Sequence, residues 1–211
     1  CRGADLLETL RVEDPGKHRL VLDAAAAYAP QGRLFRVTSP SGAVSHLFGT
    51  AHLADVRVTT LPPEVEAAFA NAQIVATELP EMDPAKMAAG LGGALRHFIA
   101  KPGEALAAHL TPEEAEKARA ALAERGQAAN VLEVFRPWAV LAMLSSSACM
   151  SRLSRERPVL DRLLIDRARE AGKPVIGLET LAEQAGAFDA IDHAEQVRMA
   201  RRAIGQLERT D

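Results

Sequence analysis

Three apolar, β-branched runs of this 211-residue chain hand over to residues able to do chemistry. Val44 to Phe48 leads through Gly49-Thr50-Ala51 to His52. Ile74 to Thr77 leads to Glu78, and Pro174 to Leu178 leads to Glu179. In open α/β sheets ligands bind in the crevice outside the carboxyl ends of the strands, so the three side chains are expected to meet there. A histidine with one or two carboxylates is a minimal set for general-base hydrolysis or for holding a divalent cation. Gly49 and Thr50 suit a tight strand exit that keeps the imidazole at the rim. Plainer roles compete for each residue. His52 could be a loop hydrogen-bonder, Glu78 before Pro80 a turn cap, and Glu179 a cap for a helix starting at Thr180.

A second candidate is Arg136-Pro137-Trp138, a cation beside the only tryptophan, at the opening of the most apolar helix. Either Trp138 anchors the core and Arg136 pairs with a carboxylate, or Arg136 reaches the crevice and steadies a carboxylate ligand or oxyanion. Asp161 is likewise a helix cap or a crevice carboxylate. His46, alternating with Val44 and Phe48, reads as packed, and His97 and His109 lack a histidine at i+4 that would make a helix-borne zinc pair. No H-E-x-x-H, C-x-x-C, P-loop, G-x-G-x-x-G or G-x-S-x-G occurs.

The elements that must position these residues are legible from spacing. Residues 1–29 read as helical, and a hairpin pairs 34–37 with 44–48 across Ser39-Pro40-Ser41-Gly42. Pro63 opens a helix to about Ala72, before the strand at 74–77. Helices follow from Asp83-Pro84 to about Ala100 and from the capping box Thr111-Pro112-Glu113-Glu114 to about Glu124. Further helices are expected from Val131 to Met150, bent at Pro137, and from Val159 to Gly172. The strand at 174–178 returns, and Thr180 with Glu183, then Asp192 with Glu195, open two closing helices. The expected fold is α/β (α+β): a small mixed sheet with a large, mostly helical insert and closing helices. It forms one domain over 1–211, with 1–80 and 174–208 as sheet core and 81–173 as insert.

Composition narrows the function classes. Lys+Arg 25 against Asp+Glu 28 gives a net charge of −3, without the basic excess of a nucleic-acid binder. Aromatics are 4% and alanine is about a fifth of the residues, which favours helices over all-β folds. No segment approaches the roughly 20 apolar residues of a membrane-spanning helix. The two cysteines, Cys1 and Cys149, leave three readings open: unrelated thiols, one disulfide in an oxidising compartment, or a lipidated Cys1.

Taken together, Cys1-Arg2-Gly3-Ala4-Asp5-Leu6-Leu7, Phe48-Gly49-Thr50-Ala51-His52 within Ser45 to Thr59, Thr77-Glu78-Leu79, Leu110-Thr111-Pro112-Glu113, Arg136-Pro137-Trp138, Leu160-Asp161 and Gly177-Leu178-Glu179-Thr180 with Gln184 form an ordered set. In this the chain resembles the TraB/GumN family, also called PrgY-like and related to the Tiki proteins. The resemblance implies a metal-dependent hydrolase acting on a peptide or amide bond. It assigns His52, Glu78 and Arg136 as catalytic, His52 and Glu78 as metal-binding, and Gly49, Thr50 and Glu179 as substrate-binding. The implied alternatives are a noncatalytic protein that binds a peptide or haem, with His52 as axial ligand, and a regulatory envelope component. The family's second G-x-x-H is missing: no glycine stands three residues before His46, His97, His109 or His193. The expectation is therefore a polypeptide truncated at its C-terminus, weakly active or inactive by itself. The resemblance also implies a Cys1–Cys149 disulfide, with a lipid anchor at Cys1 as the second choice, and export to the bacterial periplasm or envelope.

Overall fold

The structure, a computed structural model, describes residues 5–27, 32–81 and 84–207; of the side chains of residues 84–90, only that of Met87 is described. The chain divides into two compact units, one formed by residues up to Thr50 with Pro62–Ala70, the other by Ala51–Leu61 with the chain from Asn71 onward.

The first unit begins with helices α1 (Leu6–Glu13) and α2 (Pro15–Ala27). Asp5 caps α1 by accepting from the amides of Leu7 and Glu8, both at 3.0 Å. Strands β1 (Leu34–Thr38) and β2 (Val44–Phe48) then pair antiparallel, Leu34 opposite Phe48 and Thr38 opposite Val44. The turn is set by its residue types. Pro40 takes the second position, the Gly42 amide donates to the Ser39 carbonyl at 2.9 Å, and Gly42 sits at φ 86°, a left-handed conformation only glycine adopts without strain. The Gly49 amide extends the pairing to the Arg33 carbonyl at 2.8 Å. His46 stands opposite Arg36 and is exposed, not packed as its alternation with Val44 and Phe48 suggested. Alternation marks which face a residue occupies, and covering that face is a tertiary matter.

The second unit starts with the short helix α3 (Val56–Thr59); α4 (Pro63–Asn71), counted with the first unit up to Ala70, is followed in the second by β3 (Val75–Thr77). A helical body follows: α5 (Pro84–Phe98), a 3-10 turn at Leu106–His109, α6 (Pro112–Glu124), α7 (Val131–Val134), α8 (Pro137–Leu144), α9 (Ala148–Glu156) and α10 (Leu160–Glu170). Strand β4 (Val175–Gly177) pairs parallel with β3, Val75 opposite Val175 and Thr77 opposite Gly177, and α10 packs on both strands. Helices α11 (Leu181–Asp189) and α12 (His193–Gly205) close the unit. The observed fold is the expected α/β type with a mostly helical body, its strands arranged as one antiparallel and one parallel pair.

The expected helix from Val131 to Met150 is three helices. Phe135 and Arg136 are extended (ψ 153° and 152°), and for Arg136 the cause is Pro137, since the residue before a proline is pushed out of the α region. The released backbone groups pair across the chain: the Arg136 amide donates to the Phe98 carbonyl at 2.8 Å and the Ala100 amide to the Val134 carbonyl at 2.9 Å. The serine run makes the second break, where Ser147 leaves helical geometry and its hydroxyl accepts from the Met150 amide at 3.1 Å.

The main core lies between α6, α7, α8 and α12 and includes Leu106, Leu122, Leu132, Val140, Leu144 and Ile204. The alanines Ala115, Ala118 and Ala121 repeat at helical spacing along α6 and let α12 approach it closely. A second cluster joins Ala94, Trp138, Ala139 and Ala185 between α5, α8 and α11. Trp138 packs its ring against Phe98 and Phe188 at 4.8 and 5.4 Å and donates Nε1–H to the His97 carbonyl at 3.1 Å. It is thus the core anchor that one of the two sequence readings gave it.

Candidate active site

Parallel pairing of two short strands brings the first two carboxylates together. With Thr77 opposite Gly177, the chain leaves both strands at the same level, and the Glu179 amide donates to the Glu78 carbonyl at 3.1 Å. Both side chains then converge on one amide. Gln184 Nε2 donates to Glu78 Oε1 at 2.6 Å and to Glu179 Oε1 at 3.0 Å. Gln184 is placed by α11, whose start is fixed by the Thr180–Glu183 capping box. The Thr180 amide and hydroxyl hold the Glu183 carboxylate below its ordinary pKa. Because Thr180 and Glu183 supply that cap, Glu179 is left for Gln184.

His52 stands on a loop tied down at both ends. The Leu53 amide closes a tight turn on the Ala51 carbonyl at 2.7 Å, and the Leu53 carbonyl accepts from the Leu160 amide at 3.2 Å, fastening the loop to the start of α10. Asp55 caps α3 by accepting from the Arg57 amide at 2.8 Å, and its bonds to Arg57 hold its carboxyl far below the usual range. Asp161, in the first turn of α10, is a favourable place for a negative charge.

The imidazole lies between two carboxylates. His52 Nδ1 is 2.7 Å from Asp161 Oδ2, and His52 Nε2 is 3.4 Å from Glu78 Oε2. An ionised Asp161 only accepts, so the ring must present Nδ1–H to it, and this fixes the neutral tautomer with its lone pair on Nε2. That lone pair faces a carboxylate oxygen, an arrangement that is stable only with a proton, a polarised water or a cation between them. The His52 pKa is accordingly raised, first by the hydrogen bond to Asp161, against the opposing effect of burial, and further by the charges of Asp161 and Glu78. The Asp161 side chain is 13% exposed, whereas those of His52 and Glu78 are 53% and 50% exposed, so the orienting group is covered and the reacting edge is open.

His52 Nε2 and Glu78 Oε2 fit a divalent cation as a pair of donors. A separation of 3.4 Å matches two ligands of one tetrahedral ion at bond lengths of about 2.0–2.2 Å. The Asp161 contact supplies the carboxylate–histidine support that metal-binding imidazoles usually have. Among the described residues no group of three or more His, Cys, Asp or Glu side chains forms a complete set.

The other sequence candidates lie as follows. Arg136 is 10% exposed and paired with Glu104 at 3.2 Å and Asp189 at 3.1 Å; Asp189 also bonds His97 Nδ1 at 2.9 Å. None of these partners belongs to the His52 group. Gly49 and Thr50 belong to the hairpin unit, and His52, Glu78, Asp161 and Glu179 to the other. Cys1 falls outside the described residues, and with it the Cys1–Cys149 pairing. The sequence left Asp161 open between cap and crevice, and it gave Gln184 no role. For Gln184 the available signal was its place in the first turn of a helix that begins directly after Glu179.

No curated protein and no solved structure matches the chain. The family comparison does give a match, to the TraB/PrgY/gumN family over residues 34–211, a span that holds every residue of the His52 group and strands β1 to β4. The chain belongs to the TraB/PrgY/gumN family.

Proposed function

We propose that the chain is a metal-dependent hydrolase of a peptide or amide bond, with His52 and Glu78 as its reacting pair. The observation that carries this reading is the alignment Asp161–His52–Glu78, with contacts of 2.7 and 3.4 Å. Asp161 holds the ring orientation and keeps the lone pair on Nε2. Glu78 accepts a proton from a water approaching Nε2, and Gln184 fixes the Glu78 carboxylate by binding its other oxygen. Glu179, on the same amide, adds a second negative oxygen that favours an amine leaving group or a cation. A divalent cation held by His52 and Glu78 would polarise the scissile carbonyl and lower the pKa of water. Arg136, fixed by Glu104 and Asp189, acts in this reading by positioning. Export to the bacterial envelope, with Cys1 and Cys149 joined, accords with the proposed activity.

The test is hydrolysis of a fluorogenic peptide and amide panel by the purified chain, with and without zinc, manganese or cobalt. Metal-stimulated turnover should fall at least about 100-fold in His52→Ala and in Glu78→Gln, as expected when a general base is lost. Turnover that survives His52→Ala, or that ignores chelators, would refute the assignment.

A further inference from the structure

Outside the His52 group, two histidines distant in sequence meet at ring-to-ring contact. His109 ends the 3-10 turn Leu106–His109, and His193 opens α12. Their Nε2 atoms are 3.1 Å apart, their ring centres 4.9 Å, and the ring planes cross at 65°. The Gly103 carbonyl oxygen is also 3.1 Å from His109 Nε2.

No distribution of protons over the neutral rings satisfies this trio. If His109 Nε2–H donates to Gly103, the proton of His193 moves to Nδ1, which is buried without a hydrogen-bond partner. If His193 Nε2–H donates to His109, the Gly103 oxygen faces a lone pair. If both Nε2 atoms carry protons, the two N–H groups oppose each other. A cation that takes both Nε2 lone pairs relieves the second and third arrangements and takes the Gly103 carbonyl oxygen as a further donor, at the same cost at His193 Nδ1 as the first. Only the His193 Nδ1–H then remains unmet.

The ring geometry agrees. Two imidazoles joined by a straight hydrogen bond would hold their centres farther apart than 4.9 Å for a 3.1 Å contact, so these rings are tilted away from the line between their nitrogens. A separation of 3.1 Å between the two nitrogens is within reach of two Zn–N bonds of about 2.0–2.1 Å to one ion.

We infer that His109 and His193 form a two-histidine site for a first-row transition-metal cation such as zinc, independent of the His52 group. Imidazole nitrogen suits zinc, copper and nickel, and disfavours magnesium and calcium. Among the described residues no third His, Cys, Asp or Glu joins the pair, so water and the Gly103 carbonyl take the remaining positions. Such a cation would tie the 3-10 turn to α12.

The experiment uses the untagged full chain after chelator treatment, titrated with zinc chloride while the imidazole nitrogens are followed by NMR and heat is measured by calorimetry. The Nε2 resonances of His109 and His193 should shift together. One zinc equivalent should vanish or weaken at least tenfold in His109→Ala and His193→Gln, and persist in His52→Ala. Three results overturn the site: zinc that leaves both rings unshifted, an unchanged zinc stoichiometry in both folded variants, or ring shifts produced by acid but not by zinc. Should a variant unfold, the ring nitrogens of the unsubstituted chain decide. Loss of the His52-dependent activity alone would leave this site standing.

Discussion

Gly177→Ala is the sharpest perturbation of how the fold serves the site. A Cβ at Gly177 would stand 2.4 Å from Pro80 Cδ and 3.0 Å from both Pro80 Cγ and the Pro80 nitrogen. Carbon atoms prefer about 3.5–4.0 Å, so the first contact is short by roughly 1 Å. The proline ring cannot swing away as a flexible side chain would, and its carbonyl is held by Arg169 Nη2 at 2.8 Å. The backbone must therefore yield, at the cost typical of overpacking, about 1–3 kcal/mol. For a chain of this size that corresponds to a fall of about 2–12 °C in Tm, measured by thermal and urea unfolding. The movement separates the segments that carry Glu78 and Glu179. A misplacement of about 1 Å can lower kcat/KM by about 100-fold, so any His52-dependent hydrolysis should fall by that order. Pro80→Ala removes Cδ and Cγ and should restore part of the lost stability in the double variant, but not all, because the nitrogen at 3.0 Å remains. If Gly177→Ala melts within 1 °C of the unsubstituted chain, or if Pro80→Ala restores nothing, the close approach of Pro80 does not explain this glycine.

Two further outcomes follow from the charged groups. In the metal-free chain, Asp161→Asn should lower the His52 pKa, read as an earlier titration of its ring resonances when pH is raised. Because the folded pKa is raised above the unfolded value near 6.5, the stabilisation from protonated His52 is complete below that pH and disappears as pH rises through the folded pKa. The stability gap between the two chains should therefore narrow from pH 5 to pH 8, and a gap that widens would contradict the role given to Asp161. Arg136→Met keeps the bulk but leaves Glu104 and Asp189 without their cation. Breaking a buried pair in this way costs about 3–5 kcal/mol, less here because Glu104 is 33% exposed, and urea unfolding measures it.

The sequence read the elements from local rules that act over a few residues. Ser39-Pro40-Ser41-Gly42 dictates its turn by proline geometry and a left-handed glycine, and both capping boxes start helices at Pro112 and Leu181 because hydroxyl and carboxylate satisfy the free amides locally. The reading failed where a local preference was answered by a distant partner. The apolar stretch 131–150 reads as one helix, yet the chain is extended at Phe135 and Arg136 ahead of Pro137, where the Arg136 amide and the Val134 carbonyl find partners in Phe98 and Ala100.

The site divides the same way. Residue types and strand endings marked His52, Glu78 and Glu179, since short apolar runs that stop at a polar residue are visible along the chain. The parallel register of Thr77 with Gly177, which sets Glu78 beside Glu179, depends on residues about 100 positions apart and is a product of tertiary pairing. So are the choice of Asp161 over other carboxylates as the partner of His52, and the meeting of His109 with His193 across 84 residues. By itself the sequence determined which groups carry protons and charge, and where the backbone turns. Only tertiary structure decided which lone pair faces which carboxylate, because hydrogen-bond direction and distances of a few ångströms are settled by packing between segments that do not neighbour each other in the chain.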